Sequence, residues 1–399
     1  PDHLIPLDDD EIDLLLDGGF NLVRLLTHWE AIEPSDGSFD RDYLERYVRE
    51  ASRLTAAGLY VVVDMHQDLW GPPFGNGAPG WACPEELKEG YQPDSPWWTN
   101  YFSDQVSGCF DRFWEDTALQ DRFAAAWAEV AGAVCDDPRV IGFDLLNEPW
   151  PGSRLGEEGF DREVLYRFYR RVATAVDAAC PGRVLFLEPS RAYDFGLVGP
   201  FELVPDDRSR VVLAPHHYPP AVHEPGPGYD GDATRLEEDF LSLYRVYLDA
   251  GIPLWVGEYG GITSNPNFDR YLQDLLSVFC RHGIGSALWA FSLGDDGFSY
   301  LDARGLPKDM FARAFSLPTP TLLPGVPHAL TPDFEQSTLR ITFRCVDGRT
   351  FSWIEPAGES WVLDADPAGV LSGREENPPY CLVRCLKDGE VEVTLSASP

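Results

Sequence analysis

Short apolar runs alternate with longer segments of mixed polarity over the first two-thirds of the chain. The longer segments have apolar residues at helical spacing and predict amphipathic helices at 41–57, 119–134, 161–180, 234–250 and 268–282. The apolar runs are typical of strands buried on both faces of a parallel sheet, and they lie at 21–26, 59–66, 140–148, 184–190, 211–218, 253–260 and 285–292. Strands that alternate with helices predict an α/β fold with a parallel sheet.

This alternation matches a (β/α)8 TIM barrel that is one strand short. Residues 1–19 contain a loop and a short helix at 8–17, with no strand-like run. We therefore expect the first barrel strand to lie before residue 1, and we predict that the barrel domain extends over 1–316.

The character of the sequence changes after residue 316. Residues 317–332 are rich in proline, and we predict a linker there. Residues 333–399 contain short alternating runs, such as TLRITFRCV and EVEVTL, which predict a small antiparallel β-sandwich.

The formal net charge of −35 excludes two classes of partner. It argues against nucleic acid, which is bound by concentrated basic residues, and against electrostatic docking on anionic membranes. The eight cysteines include no C-x-x-C pair. Cys83 with Cys109, and Cys381 with Cys385, are candidate disulfides, and buried free thiols are an equal alternative.

The stretch VIGFDLLNEPW at 140–150 carries the first candidate chemistry. Its apolar part predicts a buried strand, and Pro149 ends that strand because proline cannot donate to a ladder. Asn147 and Glu148 therefore stand at the carboxyl end of a strand, where TIM barrels perform their chemistry. Capping of the following helix is the structural alternative.

Polar side chains also lie within or directly after five other predicted strands. If the strands form one barrel, these side chains converge on one mouth, and they are Arg24, His66, Asp68, His216, Tyr218, Glu258 and Trp289. Two facing carboxylates are the apparatus of glycoside hydrolysis, with retention at a separation of about 5–5.5 Å and inversion at about 6.5–9.5 Å. Glu188, at the end of 184–190, is a rival carboxylate that the residues alone do not exclude.

In combination, these motifs resemble the retaining glycoside hydrolases of family 5. The resemblance rests on Asn-Glu-Pro at 147–149, His-x-Tyr at 216–218, Glu258 and Trp289. Within that family, DMHQD at 64–68, NGAPGWA at 76–82 and the appended β-sandwich are similar to the endoglycoceramidase group. The family's first strand carries a sugar-binding lysine that this chain does not show.

The resemblance implies a role for each site residue. Glu148 would be the general acid/base and Glu258 the nucleophile. The remaining roles follow the same pattern: Asn147 would hold the sugar 2-hydroxyl, Arg24 and Tyr218 would position the nucleophile, His216 would contact the acid/base, His66 and Asp68 would bind sugar hydroxyls, and Trp289 would lie under the sugar ring. No metal or cofactor is expected, because all these groups are side chains.

The segment 70–101 is too long for an ordinary βα loop and is rich in Trp, Pro and Gly. We interpret it as part of an apolar groove for a lipid aglycone, lined by Trp70, Phe74, Trp81, Trp97 and Trp98. Packing of these rings over the barrel rim is an equal alternative.

The resemblance implies a retaining β-glycosidase that cleaves the sugar–ceramide bond of glycosphingolipids. Alternatives are a β-glucosidase or β-galactosidase of the same fold that acts on steryl or other hydrophobic glycosides, and a catalytically silent glycan-binding protein. We expect a secreted monomer whose partner is a glycolipid, with transient contact to a membrane or micelle surface.

Overall fold

The structure is a computed structural model that describes residues 3–194, 197, 209–322, 327–356, 360–377 and 380–398. The chain divides into two compact units. Unit 1 comprises Pro1–Leu7, Leu22–His216 and Tyr244–Gly257, and unit 2 comprises Asp8–Asn21, His217–Leu243 and Glu258–Pro399.

Unit 1 is built on a five-stranded parallel sheet whose strands follow one another in chain order. The strands are β1 (Leu22–Thr27), β2 (Tyr60–Met65), β3 (Val140–Asp144), β4 (Val184–Leu187) and β5 (Val211–Leu213). In β2 every residue after Tyr60 is buried, as the continuous apolar pattern predicts. Leu22 pairs with Tyr60 and Gly142 pairs with Val184, so the carboxyl ends of the strands lie at one edge of the sheet.

Three more short strands follow these five along the chain. They are β6 (His216–His217), β7 (Trp255–Tyr259) and β8 (Gly285–Leu288). The run 211–218 thus forms two strands rather than the single predicted one, and Pro215, which has no N–H to donate, lies between them. In unit 1 the Gly257 N–H donates to the Pro215 carbonyl, and in unit 2 the Trp289 N–H donates to the Tyr259 carbonyl.

Helices connect the strands, and capping residues mark where several of these helices begin or end. Asp40 accepts a hydrogen bond from the Tyr43 N–H at the start of α3, and Asp116 accepts from two N–H groups at the start of α6. At the end of α11, Gly283 has a φ of 64°, the left-handed conformation that ends helices. The α-helices are α1 (Asp9–Asp17), α2 (Trp29–Ile32), α3 (Arg41–Ala56), α4 (Glu85–Lys88), α5 (Asp104–Glu115), α6 (Thr117–Val134), α7 (Tyr166–Ala179), α8 (Arg191–Asp194), α9 (Pro220–His223), α10 (Ala233–Asp249), α11 (Phe268–His282) and α12 (Asp309–Ala314).

Short 3-10 turns at Gly80–Ala82, Trp97–Phe102 and Gly152–Arg154, and a π turn at Asp161–Leu165, complete the helical segments. Over the described parts of the chain, no helix has both the length and the apolar character needed to cross a membrane. The sequence did not predict α5, whose first turn is capped by the Ser103 hydroxyl.

The C-terminal part of unit 2 is an antiparallel β-sandwich, as predicted. Its strands are β9 (Thr319–Leu322), β10 (Pro327–Asp333), β11 (Thr338–Cys345), β12 (Thr350–Ile354), β13 (Trp361–Asp366), β14 (Glu375–Asn377), β15 (Tyr380–Arg384) and β16 (Gly389–Ala397). They form two four-stranded sheets, in the orders β10-β11-β16-β13 and β14-β15-β12-β9. The buried residues of both sheets, including Phe343, Trp353 and Val393, belong to one core.

Two of these strands lie where the sequence predicts a linker. Thr319–Leu322 lies inside the predicted linker 317–332, and Pro327–Asp333 begins inside it and extends one residue beyond it. Both are edge strands, and an edge strand tolerates proline because one row of its backbone groups has no ladder partner. The helix α11 packs against β10 within unit 2. The predicted boundary between the two domains stays a prediction.

Six of the eight cysteines form disulfides. Cys83 bonds to Cys109 and Cys135 to Cys180 in unit 1, and Cys345 bonds to Cys385 in unit 2. The first pair is one of the two candidates from the sequence. The other candidate is wrong, because Cys385 is bonded to Cys345 and Cys381 is a buried thiol.

Candidate active site

The loop that follows β3 presents Glu148 in a fixed backbone conformation. Glu148 has a φ of 44°, a left-handed conformation that non-glycine residues adopt at an energetic cost and that clusters at functional sites. The Gln67 side-chain amide donates to the carbonyls of Asn147 and Glu148 at 3.0 Å each, and the Asn147 N–H donates to the Met65 carbonyl at 3.0 Å. The strained loop is therefore tied to the end of β2.

The two oxygens of the buried Glu148 carboxylate have different surroundings. Oε1 lies 2.8 Å from Nδ1 of His216 and 3.3 Å from Nη1 of Arg191. Oε2 makes no hydrogen bond with the residues that the structure describes. Burial opposes the charge, but Arg191 and His216 outweigh it and lower the pKa of Glu148 to about 2. His216 thus makes the contact predicted for it, and Arg191 is a partner that sequence reasoning missed.

Glu188 lies beneath this loop. Its Oε2 accepts a hydrogen bond from the Glu148 N–H at 2.8 Å, and its Oε1 accepts from Nη2 of Arg24 at 3.0 Å and lies 3.2 Å from Nε2 of His216. Both oxygens are committed to protein donors. We therefore interpret Glu188 as a residue that positions Glu148 and His216, and not as the rival nucleophile.

Arg24 is the centre of a buried network of charges in unit 1. Its guanidinium lies 3.0 Å from Asp64, 2.9 Å from Asp144 and 3.0 Å from Glu188, and it also donates to Oδ1 of Asn147 at 2.9 Å. A buried cation with several carboxylates is stable only when its partners are hydrogen-bonded in this way. The role predicted for Arg24, positioning of the nucleophile, stays a prediction. Asp64 and Asp144 were missed, although each interrupts an apolar strand run.

Asp144 is a member of this network whose pKa is shifted upwards. Burial is the main cause that raises the pKa of Asp144 well above its ordinary value, and Arg24 only partly opposes it. A raised folded-state pKa means that the folded protein holds a proton which the unfolded chain releases above the ordinary aspartate pKa. The stability that Asp144 contributes is therefore present below the ordinary aspartate pKa. It is lost as the pH rises from there towards the raised pKa of the folded protein.

Replacement of Asp144 by asparagine is expected to preserve the fold, since the amide resembles the neutral acid. The melting temperature of Asp144→Asn should exceed that of the wild type by more at pH 8 than at pH 4. Only the wild type must bind a proton on folding at pH 8, and this lowers its stability. Scanning calorimetry at both pH values measures this difference. A variant that is equally destabilised at both values would contradict a protonated Asp144, and Asp136→Asn, at an exposed position, is the control.

His66 and Asp68 follow β2. His66 is buried with Nδ1 at 2.8 Å from Asp64 and Nε2 at 3.3 Å from Asp68. Burial disfavours its charge, but the two carboxylates outweigh burial and raise the pKa of His66 to about 10. Both ring nitrogens of His66 thus face carboxylates. Asp68 is partly exposed, so a sugar hydroxyl can reach Asp68 more easily than His66. Sugar binding by the two residues stays a prediction.

In unit 2, Glu258 lies near the end of β7 and is buried. The Tyr218 hydroxyl donates to its Oε2 at 2.8 Å, which is the contact predicted for Tyr218. The Tyr218 ring lies against His223 and Phe298, at centroid distances of 5.6 and 5.7 Å. The partly exposed Trp289 follows β8, and its place under the sugar ring stays a prediction.

The aromatic residues of the 70–101 loop have different surroundings. Trp70 is buried against Phe110 and Phe113, with centroids 5.1 and 5.4 Å away. Phe74 is buried beside Tyr91, and Trp81 packs on Trp29 while its indole N–H donates to the Glu33 carbonyl. The rings of these three residues pack within the loop and against helices, as the packing alternative describes, and their part in a groove stays a prediction.

The other end of the loop is different. Trp97 and Phe102 are each 52% exposed, and Trp98 is half-buried beside Phe102. These three residues lie on the 3-10 turn Trp97–Phe102, and we refer to them as the aromatic turn. The sequence prediction included Trp97 and Trp98 and missed Phe102.

Within either unit taken alone, the described residues contain no group of three or more His, Cys, Asp or Glu side chains arranged to hold a metal ion.

The fold and the two buried strand-end glutamates define a TIM-barrel glycoside hydrolase. Residues 6–295 match the family model described as Cellulase (glycosyl hydrolase family 5). The chain therefore belongs to glycosyl hydrolase family 5.

Similar proteins include endoglycoceramidases. Endoglycoceramidase I of Rhodococcus hoagii is 34% identical over 223 residues, which cover 52% of this chain and 44% of that protein. The endoglycoceramidase of Cyanea nozakii is 27% identical over 53% of this chain and 48% of that protein. The matches thus span about half the length of these curated relatives.

Solved structures are similar over nearly the whole chain. Endo-glycoceramidase II from Rhodococcus sp. has a TM-score of 0.81 at 25% identity, covering 98% of this chain and 92% of that one. An endogalactoceramidase structure has a TM-score of 0.73 at 23% identity, covering 99% and 91%. The chain accordingly has the predicted TIM barrel with a C-terminal β-sandwich domain.

Proposed function

We propose that this chain is a retaining β-glycosidase that cleaves the bond between sugar and ceramide in glycosphingolipids. The observation that carries the proposal is a pair of buried strand-end glutamates, each with one oxygen held by a neighbouring side chain. His216 and Arg191 hold Glu148, and Tyr218 holds Glu258. This is the pair of groups that retaining glycosidases require.

In the first half-reaction, the Glu258 carboxylate attacks the anomeric carbon and forms an ester with the sugar. The bond from that carbon to the glycosidic oxygen breaks, and the oxygen receives a proton from Glu148, so that ceramide leaves as an alcohol. In the second half-reaction, the Glu148 carboxylate takes a proton from water. The resulting hydroxide attacks the anomeric carbon, and Glu258 is released as a carboxylate.

The surroundings of Glu148 bear on both steps. Arg191 and His216 hold it as a carboxylate in the unliganded protein, which is the form that the second step uses. The first step requires a proton, and an aglycone that excludes water from Glu148 favours the neutral acid. Nδ1 of His216 lies 2.8 Å from Oε1 of Glu148, so we expect the proton affinities of the two groups to be coupled.

The substrate class is supported by the similar proteins. Several are named endoglycoceramidase, and one solved structure of endo-glycoceramidase II is described as a ganglioside GM3 complex. A likeness to a sterylglucosidase structure, at 12% identity and a TM-score of 0.77, concerns the fold alone.

A substrate panel tests the proposal. Glucosyl-, galactosyl- and lactosylceramide, gangliosides, steryl glucoside and aryl glycosides would be incubated with the protein, and the products identified by mass spectrometry. We expect release of intact glycan and ceramide from at least one glycosphingolipid. Preferred cleavage of steryl glucoside would replace ceramide by sterol in the proposal, and the absence of all turnover would favour a binding protein.

The aromatic turn is the surface that we propose for contact with a membrane or micelle. Three large rings lie on one short turn, and the net charge of −35 favours neutral lipid over anionic lipid.

Trp97→Ala and Phe102→Ala are each expected to lower kcat/KM on micellar glycosphingolipid by about tenfold, since the lost burial of a ring costs on the order of 1–2 kcal/mol. Activity on soluble aryl glycosides should not change. Val246→Ala, at an exposed position on α10, is the matched control. Equal losses on both substrate types would contradict a role in lipid contact.

We propose that the protein is secreted and monomeric. The three disulfides support secretion, because such bonds persist in oxidising compartments. Protein recovered from the culture medium should show two free thiols after denaturation without reductant, and sedimentation should give the mass of one chain.

A further inference from the structure

Arg191 is held in place by the backbone around it. Its N–H donates to the carbonyl of Pro149 at 3.0 Å, and the preceding Ser190 N–H donates to Oδ2 of Asp161 at 3.2 Å. Ala192 and Tyr193, which follow it on α8, are buried. The start of α8 is thus attached to the loop that carries Glu148, so the position of Arg191 is built into the fold of unit 1.

The side chain of Arg191 is 16% exposed, and Nη1 lies 3.3 Å from Oε1 of Glu148. His216 binds the same oxygen from the strand β6 at 2.8 Å. With the His216 hydrogen bond and the Arg191 ion pair both on Oε1, Oε2 is the atom left to exchange a proton with a ligand. Arg191 thus adds a second contact to an oxygen that His216 already holds.

The two donors differ in one physical respect. An imidazole changes its charge near neutral pH, whereas a guanidinium stays charged at every working pH. Only Arg191, of these two, supplies a positive charge to Oε1 that does not depend on where the shared proton lies.

We propose that Arg191 is the positioning residue for Glu148, fixing Oε1 so that Oε2 faces the glycosidic oxygen and keeping Glu148 a carboxylate when His216 is neutral. This inference rests on the proposed function, in which the second half-reaction needs Glu148 as a base. Arg191 would then be required most for hydrolysis of the glycosyl-enzyme.

Other groups of unit 1 also act on Glu148. They are His66, which follows β2, Glu188, which follows β4, His216 on β6 and Tyr101 on the Trp97–Phe102 turn. A substitution at Arg191 leaves all four of these side chains in the protein.

The test is a titration of Glu148 that does not require turnover. Protein labelled with 13C at glutamate carboxyl carbons would be titrated by NMR, with the Glu148 signal assigned from Glu148→Gln. In Arg191→Met the pKa of Glu148 should rise by about one to two units relative to the wild type, since a neighbouring cation favours the carboxylate. Arg191→Lys, which keeps the charge, should give a smaller rise.

Arg112→Met removes an exposed arginine from α5 and is the matched control, for which no change is expected. If the methionine variant does not fold, Arg191→Gln gives the same measurement with a donor that has no charge. An unchanged pKa of Glu148 in a folded Arg191 variant would overturn the proposal.

Kinetics give a second readout. For a ceramide-linked substrate, the basic limb of the kcat/KM profile of Arg191→Met should move to higher pH, because Glu148 holds its proton longer. A dinitrophenyl glycoside, whose leaving group needs no proton, should show no such movement. A uniform loss of activity with unmoved limbs indicates a merely structural role and overturns the proposal. Failure of the proposed function would instead be seen as a wild type without turnover.

Discussion

Glu258→Gln is expected to lower kcat on every substrate by on the order of 10⁴- to 10⁶-fold, because an amide cannot form the glycosyl ester. Glutamine has nearly the same shape as glutamate, and its carbonyl can still accept the hydrogen bond from the Tyr218 hydroxyl. The fold should therefore be preserved. Steady-state kinetics on an aryl glycoside, together with thermal melting, measure both effects.

Glu238→Gln, an exposed glutamate on α10, is the control for the same chemical change. It should have wild-type kinetics. Substantial turnover by Glu258→Gln would remove Glu258 from the mechanism and return Glu188 to consideration.

Glu148→Ala is expected to lose about 10²- to 10⁴-fold in kcat/KM on ceramide-linked substrates, the usual contribution of a general acid. On a dinitrophenyl glycoside, kcat/KM should change much less, since that leaving group departs without a proton. The second half-reaction then becomes limiting, because no base activates water.

Added azide should restore turnover of Glu148→Ala and give a β-glycosyl azide, since the truncated side chain leaves space for a small anion that needs no base. Glu148→Gln, which fills that space, should not respond to azide. An equal loss for good and poor leaving groups, with no effect of azide, would contradict the assignment of Glu148 as acid/base.

Much of this arrangement could be predicted from the sequence, because strand ends leave clear marks. The apolar run before Asn147 predicts a strand, and β3 begins at Val140 as predicted, but it ends at Asp144, so that Asn147 and Glu148 lie in the loop that follows it. That signal is local, since a few consecutive residues determine both the strand and the side chain that follows it. The expectation that Tyr218 positions Glu258 came instead from the family resemblance, and the Tyr218 hydroxyl donates to Glu258.

Contacts between distant segments could not be predicted in this way. Gln67 holds the Glu148 loop across 80 residues or more of sequence, and Arg191 reaches Glu148 from another βα unit. Asp64 and Asp144 gave a weak signal, since an acidic residue inside an apolar strand needs a buried partner. That partner, Arg24, is identified only when the strands are paired.

Aromatic residues and prolines were the most ambiguous signals. A ring that lines a groove and a ring that packs a loop have the same sequence pattern, so Trp70 and Trp97 could not be distinguished although one is buried and the other exposed. Proline likewise suggested a linker in a segment that forms edge strands. The sheet context that decides both cases is not contained in the local sequence.

Covalent trapping is the most direct measurement of the central claim, that Glu258 forms an ester with the sugar. The protein would be incubated with a 2,4-dinitrophenyl 2-deoxy-2-fluoro-β-glycoside, digested and analysed by mass spectrometry. We predict one added fluoroglycosyl group per chain, on Glu258, and no label in Glu258→Gln. Label on Glu148 or Glu188, or no label in a protein that turns over the parent glycoside, would contradict the account.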